Sequence, residues 1–257
     1  MHLNVGATGN PMGARSVAMG NASVTISDVW AGFTNIAGLA TIEKSNIGLA
    51  YQNLFGISEL NHVAATYCMN TKYGVPSVHF LRVGSKLLNQ QWVAVGYAHK
   101  IHKVSLGLKV NYAQLSAEEL NTKRNIVLEF GGIAEITKEL FFGAHACNLT
   151  QSKWGEEDIP TILKAGFSFR PNKKVMFNAE TEKDVLMSPA FKAGIEYAII
   201  EKLKLRTGIS TNPFMAFGGW GVESKNLRLD YSAGFHMLLG MSHQINISWC
   251  FAKKPKQ

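Results

Sequence analysis

The sequence predicts an all-β protein, a transmembrane antiparallel β-barrel of about 14 strands with an N-terminal hatch inside the lumen. First, 46% of the 257 residues are hydrophobic and only 17% are charged, whereas ordinary soluble domains have roughly 25% charged residues. Second, apolar and polar residues alternate from about residue 45 onward, and no apolar run approaches the roughly 18 residues of a transmembrane helix. Third, tight turns and longer loops alternate between these segments, which is typical of outer-membrane barrels.

The N-terminal segment, residues 1–43, is rich in Gly, Ala, Ser and Asn and contains no long alternating run. A barrel of about fourteen strands is wider than the eight-stranded barrels that their own side chains fill. We therefore predict a hatch or plug at 1–43, the barrel at 44–252 and a basic periplasmic tail at 253–257. The first residues, MHLNVG, lack the charged start and apolar stretch of a signal peptide, so we expect that peptide to have been removed already.

The predicted strands follow one another along the rest of the chain. The runs 104–112, 191–199, 227–237 and 245–251 alternate with particular regularity, so successive side chains leave opposite faces. Strands of about ten residues suffice to span a bilayer. We place the strand centres near residues 49, 65, 80, 95, 108, 130, 144, 166, 177, 195, 207, 218, 232 and 247.

The connections between these strands differ in length in an ordered way. Tight turns are predicted at 100–103, 137–139, 170–173, 200–202 and 223–226. Longer loops fall between them, at 84–90, 114–123, 149–160 and 182–189, while 56–59 and 211–213 are short where a long loop is expected. A soluble sandwich has no reason to sort its connections in this way, whereas an outer-membrane barrel has short periplasmic turns and longer outer loops.

A faint repeat places a glycine in the middle of several predicted strands, most of them on the polar face. The repeat occurs at 94–97, 164–167, 192–195, 206–209 and 232–235. Glycine at such positions removes bulk and lets a strand bend, which suits a lumen with something packed inside it. The competing interpretation is that glycine is simply common in β-barrels.

The charged face of the strands has two interpretations. In a soluble sandwich it is the solvated surface, whereas in a membrane barrel it lines the lumen and the apolar face meets lipid. The strand count, the sorted connections and aromatic residues near strand ends favour lipid; the predicted interfacial aromatics are Trp92, Tyr112, Phe169, Trp220 and Trp249. The predicted lumen-facing charges, which either select a solute or neutralise the hatch, are Lys109, Lys164, Lys192, Glu196, Lys204, Arg206, Arg228 and Asp230.

Nothing in the sequence indicates a catalytic, cofactor or metal site. The glycine-rich segment 5–13 lacks the βαβ context of a dinucleotide-binding loop. The three cysteines, Cys68, Cys147 and Cys250, are odd in number and have unrelated spacings. The net charge of +8 is spread over the lumen face, the turns and the tail, so no nucleic-acid partner is expected. We predict a non-enzymatic protein without cofactors.

The stretch from Gly13 to Ala40 carries the most specific motif, GARSVAMGNASVTISD followed by VWAGFTNIAGLA. It resembles the hatch signature of the long-chain fatty-acid transporter family (FadL) and its PorV/PorQ-like relatives, which has Gly-Ala-Arg-Ser-x-x-Met-Gly, an acidic residue and Asn-Pro-Ala-Gly-Leu. This sequence departs at Ile36, where the family usually has proline, which leaves the local hatch conformation open. The matching residues are Gly13, Ala14, Arg15, Ser16, Met19, Gly20, Asp28, Asn35, Ala37, Gly38 and Leu39.

The resemblance covers about 28 residues and implies a fourteen-stranded barrel with the hatch inside it, in the outer membrane of a Gram-negative (diderm) bacterium. It makes Arg15 and Asp28 candidates for pairing with the lumen charges, the alternative being two solvated loop residues. The partners expected are outer-membrane lipid and other outer-membrane or periplasmic proteins in a hetero-complex.

Two functions remain open. The preferred hypothesis is an accessory subunit of a large outer-membrane complex, either type IX secretion-like or one that assembles outer-membrane proteins. Its basis is that fatty-acid transporters of the family have large outer loops, whereas the longest predicted loop here has about a dozen residues. The alternative is a small channel or transporter for hydrophobic molecules, with strand kinks at Gly131–Gly132 and Gly218–Gly219.

Overall fold

The computed structural model describes residues 12–117, 121–155 and 157–251. The segment 5–13, for the most part, and the predicted tail at 253–257 therefore lie outside the described residues. The strands are β1 Asn46–Leu54, β2 Ile57–Cys68, β3 Val75–Gly84, β4 Leu88–Ile101, β5 Val104–Ala117, β6 Lys123–Glu135, β7 Leu140–Cys147, β8 Lys153–Trp154, β9 Glu157–Asp158, β10 Ile162–Asn172, β11 Val175–Asp184, β12 Ala190–Ile200, β13 Leu203–Ser210, β14 Met215–Ser224, β15 Leu227–His236 and β16 Gly240–Cys250.

Fourteen of these strands close into one antiparallel barrel. Each barrel strand pairs with its neighbours in sequence, and β1 closes the sheet by pairing with β16. The strands β8 and β9 form a separate hairpin within the connection 148–161, so β7 pairs directly with β10. The predicted fold class is confirmed.

The side chains of each strand alternate between a buried inner face and an exposed outer face. In β1, Leu49 is 56% exposed and Tyr51 is 44% exposed, while Ala50 between them is 5% exposed. The exposed positions are the large apolar ones, and the buried positions include lysine, glutamate and arginine. This is the reverse of a soluble protein and is the arrangement expected when lipid covers the outer face.

The two ends of the barrel differ in their connections. Where β1 begins, the turns 102–103, 173–174, 201–202 and 225–226 have two residues each. The opposite end carries the longer connections 148–161 and 185–189. Short turns lie on the periplasmic side of outer-membrane barrels, so we call the end with the longer connections the outer end and the end with the two-residue turns the periplasmic end. Phe55 and Gly56, with φ of 57° and 72°, make a tight turn at that end, because two consecutive positive φ values suit the type I′ hairpin.

Residues 12–42 fold into three short helices. They are an α-helix, α1, at Ala14–Ala18 and two 3₁₀ helices at Val29–Phe33 and Ile36–Thr41. Most of their side chains are buried, and their neighbours are inward-facing residues of the strands. Among the described residues, none of the helices is long and apolar enough to cross a membrane.

One prediction about an individual strand residue is wrong. Trp92 is 5% exposed and faces the lumen, where it meets Trp154. Its neighbours Val93 and Val95 occupy the outer face instead, so the alternation of β4 places Trp92 inside. The glycine pair 131–132 lies where the register of β6 with β5 continues without a shift, and the predicted kink there stays a prediction. The pair 218–219 lies equally within an unbroken register.

Candidate functional site

The candidate functional site is the lumen, where a belt of mid-strand glycines seats residues 12–42. A Cβ at Gly208 would overlap the backbone of Met19 and Gly20. The same holds for other strands, since a Cβ at Gly143 would lie 2.7 Å from the carbonyl oxygen of Val24. Such distances are below normal van der Waals contact, so only glycine allows the two backbones to approach so closely. At some inward glycines the added Cβ would instead meet a side chain of residues 12–42. The inward glycines at which a Cβ would lie 3.0 Å or less from a backbone or side-chain atom of residues 12–42 are Gly48, Gly96, Gly107, Gly131, Gly143, Gly166, Gly194, Gly208 and Gly219.

One network of charged groups joins the N-terminal segment to the periplasmic half of the barrel. Arg15 donates two hydrogen bonds to the carboxylate of Glu196, at 2.8 and 2.7 Å. Arg206 lies 2.6 Å from the same carboxylate and 2.7 Å from Asp230. We call these residues, together with Asp28 and Arg228, the hatch ion network. Its three arginines and three carboxylates balance in charge, as buried groups require. Burial would lower the pKa of Arg15, but the Glu196 and Asp28 carboxylates outweigh it and raise that pKa.

A second charged group lies in the wall formed by β5, β6 and β7. The Glu129 carboxylate accepts hydrogen bonds from Lys109 and from Asn111, each at 2.9 Å. It also lies 3.2 Å from Nε2 of His145. Lys109 also donates to the carbonyl oxygen of Gly32, at 2.7 Å. The lysine is thereby held between the wall and the N-terminal segment.

A third charged group lies nearer the outer end, on β10, β11 and β12. Lys164 and Lys192 lie 3.1 and 2.6 Å from Glu182. Glu180 accepts hydrogen bonds at 2.7 Å from the backbone N–H groups of Ser23 and Val24. A carboxylate of the wall thus binds the peptide backbone of the N-terminal segment directly.

Asp28 and Asn35 of the motif begin the two 3₁₀ helices. The Asp28 side chain accepts a hydrogen bond from the N–H of Trp30 at 2.9 Å. The Asn35 side chain accepts one from the N–H of Ala37 at 3.2 Å. Both are the N-cap residue types that satisfy free N–H groups at a helix start. The Asn35 amide also donates to the carbonyl oxygen of Val24 at 2.7 Å, so it ties two parts of the segment together.

Ile36, the departure from the family motif, occupies the first position of the second 3₁₀ helix. Proline favours that position because its N–H would be unpaired there. The isoleucine side chain instead packs over the strand glycines, 2.8 Å from a Cβ built at Gly96 and 2.7 Å from one built at Gly107. The helix start is kept, and the side chain fills the space above two strands.

The remaining predicted residues lie as follows. Gly13 precedes α1 with φ of 125°, and Gly20 follows it with φ of 69°, a conformation that glycine adopts without strain. Lys204 lies at the periplasmic rim, 3.7 Å from Glu223. The other motif residues are buried at or between the helices, namely Ala14, Ser16, Met19, Ala37, Gly38 and Leu39.

Sequence reasoning missed the acidic partners Glu129, Glu180 and Glu182, together with His145. The signal was present, because Ile126 and Phe130 mark the outer face of β6. Successive side chains of a strand leave opposite faces, so the even-numbered Ile126 and Phe130 place the odd-numbered Glu129 on the lumen face.

Three of the cavities in the described part of the chain lie along the lumen. A narrow one of about 20 Å³ lies among Phe33, Trp92 and the Glu129 group. A second, of about 110 Å³, lies in the outer half beside Val17 and Asn21. The third, of about 370 Å³, lies at the periplasmic end beside Asp28 and Arg228.

The β8–β9 hairpin folds inward at the outer end. Trp154 is 6% exposed and packs edge-on against Trp92, with 6.1 Å between the ring centroids. Lys123 donates to the carbonyl oxygen of Trp154 at 3.0 Å, and Asn148 donates to that of Ile159 at 2.7 Å. The hairpin is therefore held against the wall, and Trp154 contacts Trp92, one of the residues that line the narrow cavity.

The cysteines are free, with Cys68 and Cys147 buried. Within residues 12–117, 121–155 and 157–251, no group of three or more His, Cys, Asp or Glu side chains is arranged to hold a metal ion.

Comparison with known proteins identifies the fold. No protein-family model matches the chain, and no curated protein matches it in sequence. Among solved structures, the monoaromatic hydrocarbon channel CymD is similar with a TM-score of 0.69 and 11% identity, over 94% of this chain and 98% of that one. The toluene transporter TodX of Pseudomonas putida is similar with a TM-score of 0.69 and 12% identity, over 93% of this chain and 97% of that one.

These neighbours correct the predicted function. They are channels for small hydrocarbons rather than subunits of a secretion or assembly complex, so the accessory-subunit hypothesis and its link to type IX secretion are wrong. They favour the alternative, a small channel, and are compatible with a non-enzymatic role. The chain shares the fold of these channels, a closed fourteen-stranded antiparallel barrel, and nothing in these neighbours singles out the PorV/PorQ-like branch.

Proposed function

We propose that the protein is an outer-membrane channel for small hydrophobic molecules. The observation that carries this proposal is a fourteen-stranded barrel, filled by its N-terminal segment, that matches hydrocarbon channels over more than nine tenths of both chains. The apolar outer face is matched to lipid, and residues 1–43 act as the hatch of the barrel at 44–252. Membership of a hetero-complex stays a prediction.

The lumen favours selective passage over an open aqueous pore. Arg15 and Lys109 link residues 12–42 to opposite walls, and Glu180 holds the backbone between them. The lumen charges are paired with one another, so we expect them to hold the hatch rather than to select an ion. A permeating molecule must then pass beside the hatch or displace part of it.

Uptake by intact diderm cells tests the proposal, because the lipopolysaccharide leaflet slows hydrophobic molecules. Cells that express the protein should take up radiolabelled toluene several-fold faster than cells carrying the empty vector. Uptake of a hydrophilic solute of similar size, such as glycerol, should stay unchanged because the hatch fills the lumen. Equal toluene uptake in both strains, with the folded barrel present in the membrane, contradicts the proposal.

A further inference from the structure

The wall of the barrel is lower on one side than on the other. Strands β4, β5 and β6 have 13 or 14 residues, whereas β12 to β16 have 8 to 11. The hairpins β4–β5, β12–β13 and β14–β15 all turn at the periplasmic end through two residues, so the difference in length falls at the outer end. A strand rises about 3.3 Å per residue, so the difference is roughly 7–20 Å along the strands. We call the side of β12–β16 the low side and the side of β4–β6 the high side.

On the high side, the outward-facing apolar band ends before the strands do. In β5 it runs from Val104 to Tyr112, and the next outward-facing residues are Gln114 and Ser116. Strands β2, β3, β4 and β6 also have polar outward-facing residues near their outer ends, and these are Glu59, Asn61, Arg82, Gln91 and Arg124. Polar residues in such positions mark the level at which the lipid-facing zone of a barrel ends.

On the low side, the apolar band continues up to the outer end of the wall. In β12 it runs from Ile199 to Phe191, over nine residues like the band of β5, and the strand itself begins at Ala190. In β15 the band runs from Leu227 to Phe235, again over nine residues. The tips of these strands therefore lie at the level where the outward face of β5 becomes polar.

The connections at these tips are apolar and exposed. The segments 185–189, 211–214 and 237–239 contain no charged residue, whereas each two-residue turn of the periplasmic end contains a lysine. Leu238 is 89% exposed and Met237 is 73% exposed. We call the exposed large side chains of these connections the apolar rim, which consists of Val185, Leu186, Met187, Phe214, Met237, Leu238 and Leu239.

The three connections form one continuous patch. Asn212 donates to the carbonyl oxygen of Pro189 at 2.6 Å, which joins the first connection to the second. Strands β14 and β15 pair up to their outer ends, with Met215 opposite His236, so the second and third connections leave the sheet side by side. A contiguous exposed apolar patch marks a surface that something covers.

Backbone groups of the apolar rim are paired within the protein. The N–H groups of Leu238 and Leu239 donate to Nδ1 of His236, at 3.1 and 3.2 Å. The carbonyl oxygen of Met187 accepts from the ammonium group of Lys183, whose long stem reaches it from the outer end of β11. Lipid offers no hydrogen bonds, so backbone groups that meet acyl chains need partners of this kind.

We propose that the apolar rim is a lipid-binding surface that inserts among the acyl chains of the outer leaflet, so that the barrel has no aqueous collar on its low side. The occupant follows from continuity, because the rim extends the lipid-facing band of β12 and β15, and neither of these described strands has a charged outward-facing residue. Such anchoring is independent of what the lumen conducts and so goes beyond the proposed channel function.

Fluorescence quenching tests the proposal on the full-length chain in phosphatidylcholine vesicles. Leu238→Cys carries a bimane label in a background in which Cys250 is replaced by alanine; Cys68 and Cys147 are buried, and the background without an added cysteine should take up no label. Phosphatidylcholine that is brominated near the carboxyl end of its acyl chains should quench the label at position 238 several-fold more strongly than a label on the matched control Lys86→Cys, in the exposed tip 85–87 before β4. Aqueous iodide should do the reverse, because an apolar environment excludes the ion.

A second labelling position guards against a local effect of one substitution. Met237→Cys should behave like Leu238→Cys, and both side chains are exposed, so neither substitution removes packing. Heat-modifiable gel migration checks that each labelled variant is a folded barrel. Iodide quenching at position 238 as strong as at position 86 overturns the proposal, because water then covers the rim. Protection of position 238 from both quenchers also overturns it, because a protein, such as a second copy of this chain, then covers the rim.

Discussion

At the residue scale, Glu196 is the point on which the hatch ion network converges. Arg15 and Arg206 share its carboxylate, and the Arg206 side chain is completely buried. Removing one partner of a buried pair is far more costly than the net value of the pair, because a charge is left without compensation.

We expect Glu196→Gln to destabilise the folded barrel by about 3–5 kcal/mol, because two buried guanidinium groups lose their common carboxylate. The temperature of the unfolding transition, followed by heat-modifiable gel migration, measures it. The control is Glu223→Gln, whose carboxylate is 55% exposed and faces Lys204 across 3.7 Å, and it should change stability by less than about 1 kcal/mol. Equal effects of the two substitutions contradict the assigned role of the network.

The glycine belt gives a second prediction at the residue scale. Gly208→Ala should loosen residues 12–42, since the new methyl group overlaps the backbone of Met19 and Gly20. Limited proteolysis near Arg15 should become at least several-fold faster while the barrel remains folded.

Gly218→Ala is the matched control for that substitution. The nearest atom to its Cβ is the carbonyl oxygen of Arg206 at 3.9 Å, so the proteolysis rate should stay as in the wild type. A Gly208→Ala protein with unchanged proteolysis would show that the belt does not seat the segment.

At the element scale, the β8–β9 hairpin packs Trp154 against Trp92, which lines the narrow cavity. Cys147 ends β7 and lines that cavity, where it is 2% exposed. Access of a reagent to its thiol therefore reports whether the hairpin is in place.

Trp154→Ala should speed maleimide labelling of Cys147 by about tenfold or more, because removing a buried tryptophan costs about 3–5 kcal/mol of packing. The measurement uses a background in which Cys68 and Cys250 are replaced by alanine. Trp249→Ala, at a position 46% exposed on the outer face, is the control and should leave labelling unchanged. Slow labelling in both variants contradicts a closing role of the hairpin.

The sequence predicts the barrel strands well and the helices of residues 12–42 poorly. The barrel strands have centres within a few residues of the predicted ones, because each carries its own period-two alternation. The helices of residues 12–42 carry no such periodicity. Their positions depend on caps such as Asn35 and on a glycine belt contributed by distant strands.

At the scale of the whole molecule, the outer face decides whether the barrel lies in lipid. Leu49 is at the middle of β1 and 56% exposed. In water, arginine at such an exposed position is nearly neutral in its effect on stability, whereas at the midplane of a bilayer it is not.

We expect Leu49→Arg to destabilise the barrel in phospholipid vesicles by about 2–4 kcal/mol, as measured by urea unfolding. Tyr73→Arg is the control, since Tyr73 is 69% exposed in the turn 69–74 outside the strands. Its effect should stay within about 0.5 kcal/mol. If Leu49→Arg is equally harmless, the apolar face does not meet lipid.

The sequence by itself determined the barrel and the face of most side chains, because strand alternation is a local property that each segment carries alone. It also located the N-terminal motif. Only the tertiary structure decided which charges pair and why the mid-strand glycines are needed. Glu196 and Arg15 are 181 positions apart, and Gln52 and Gln244 meet only because β1 closes on β16. Contacts of this kind depend on the register of a closed sheet, and no local pattern encodes that register.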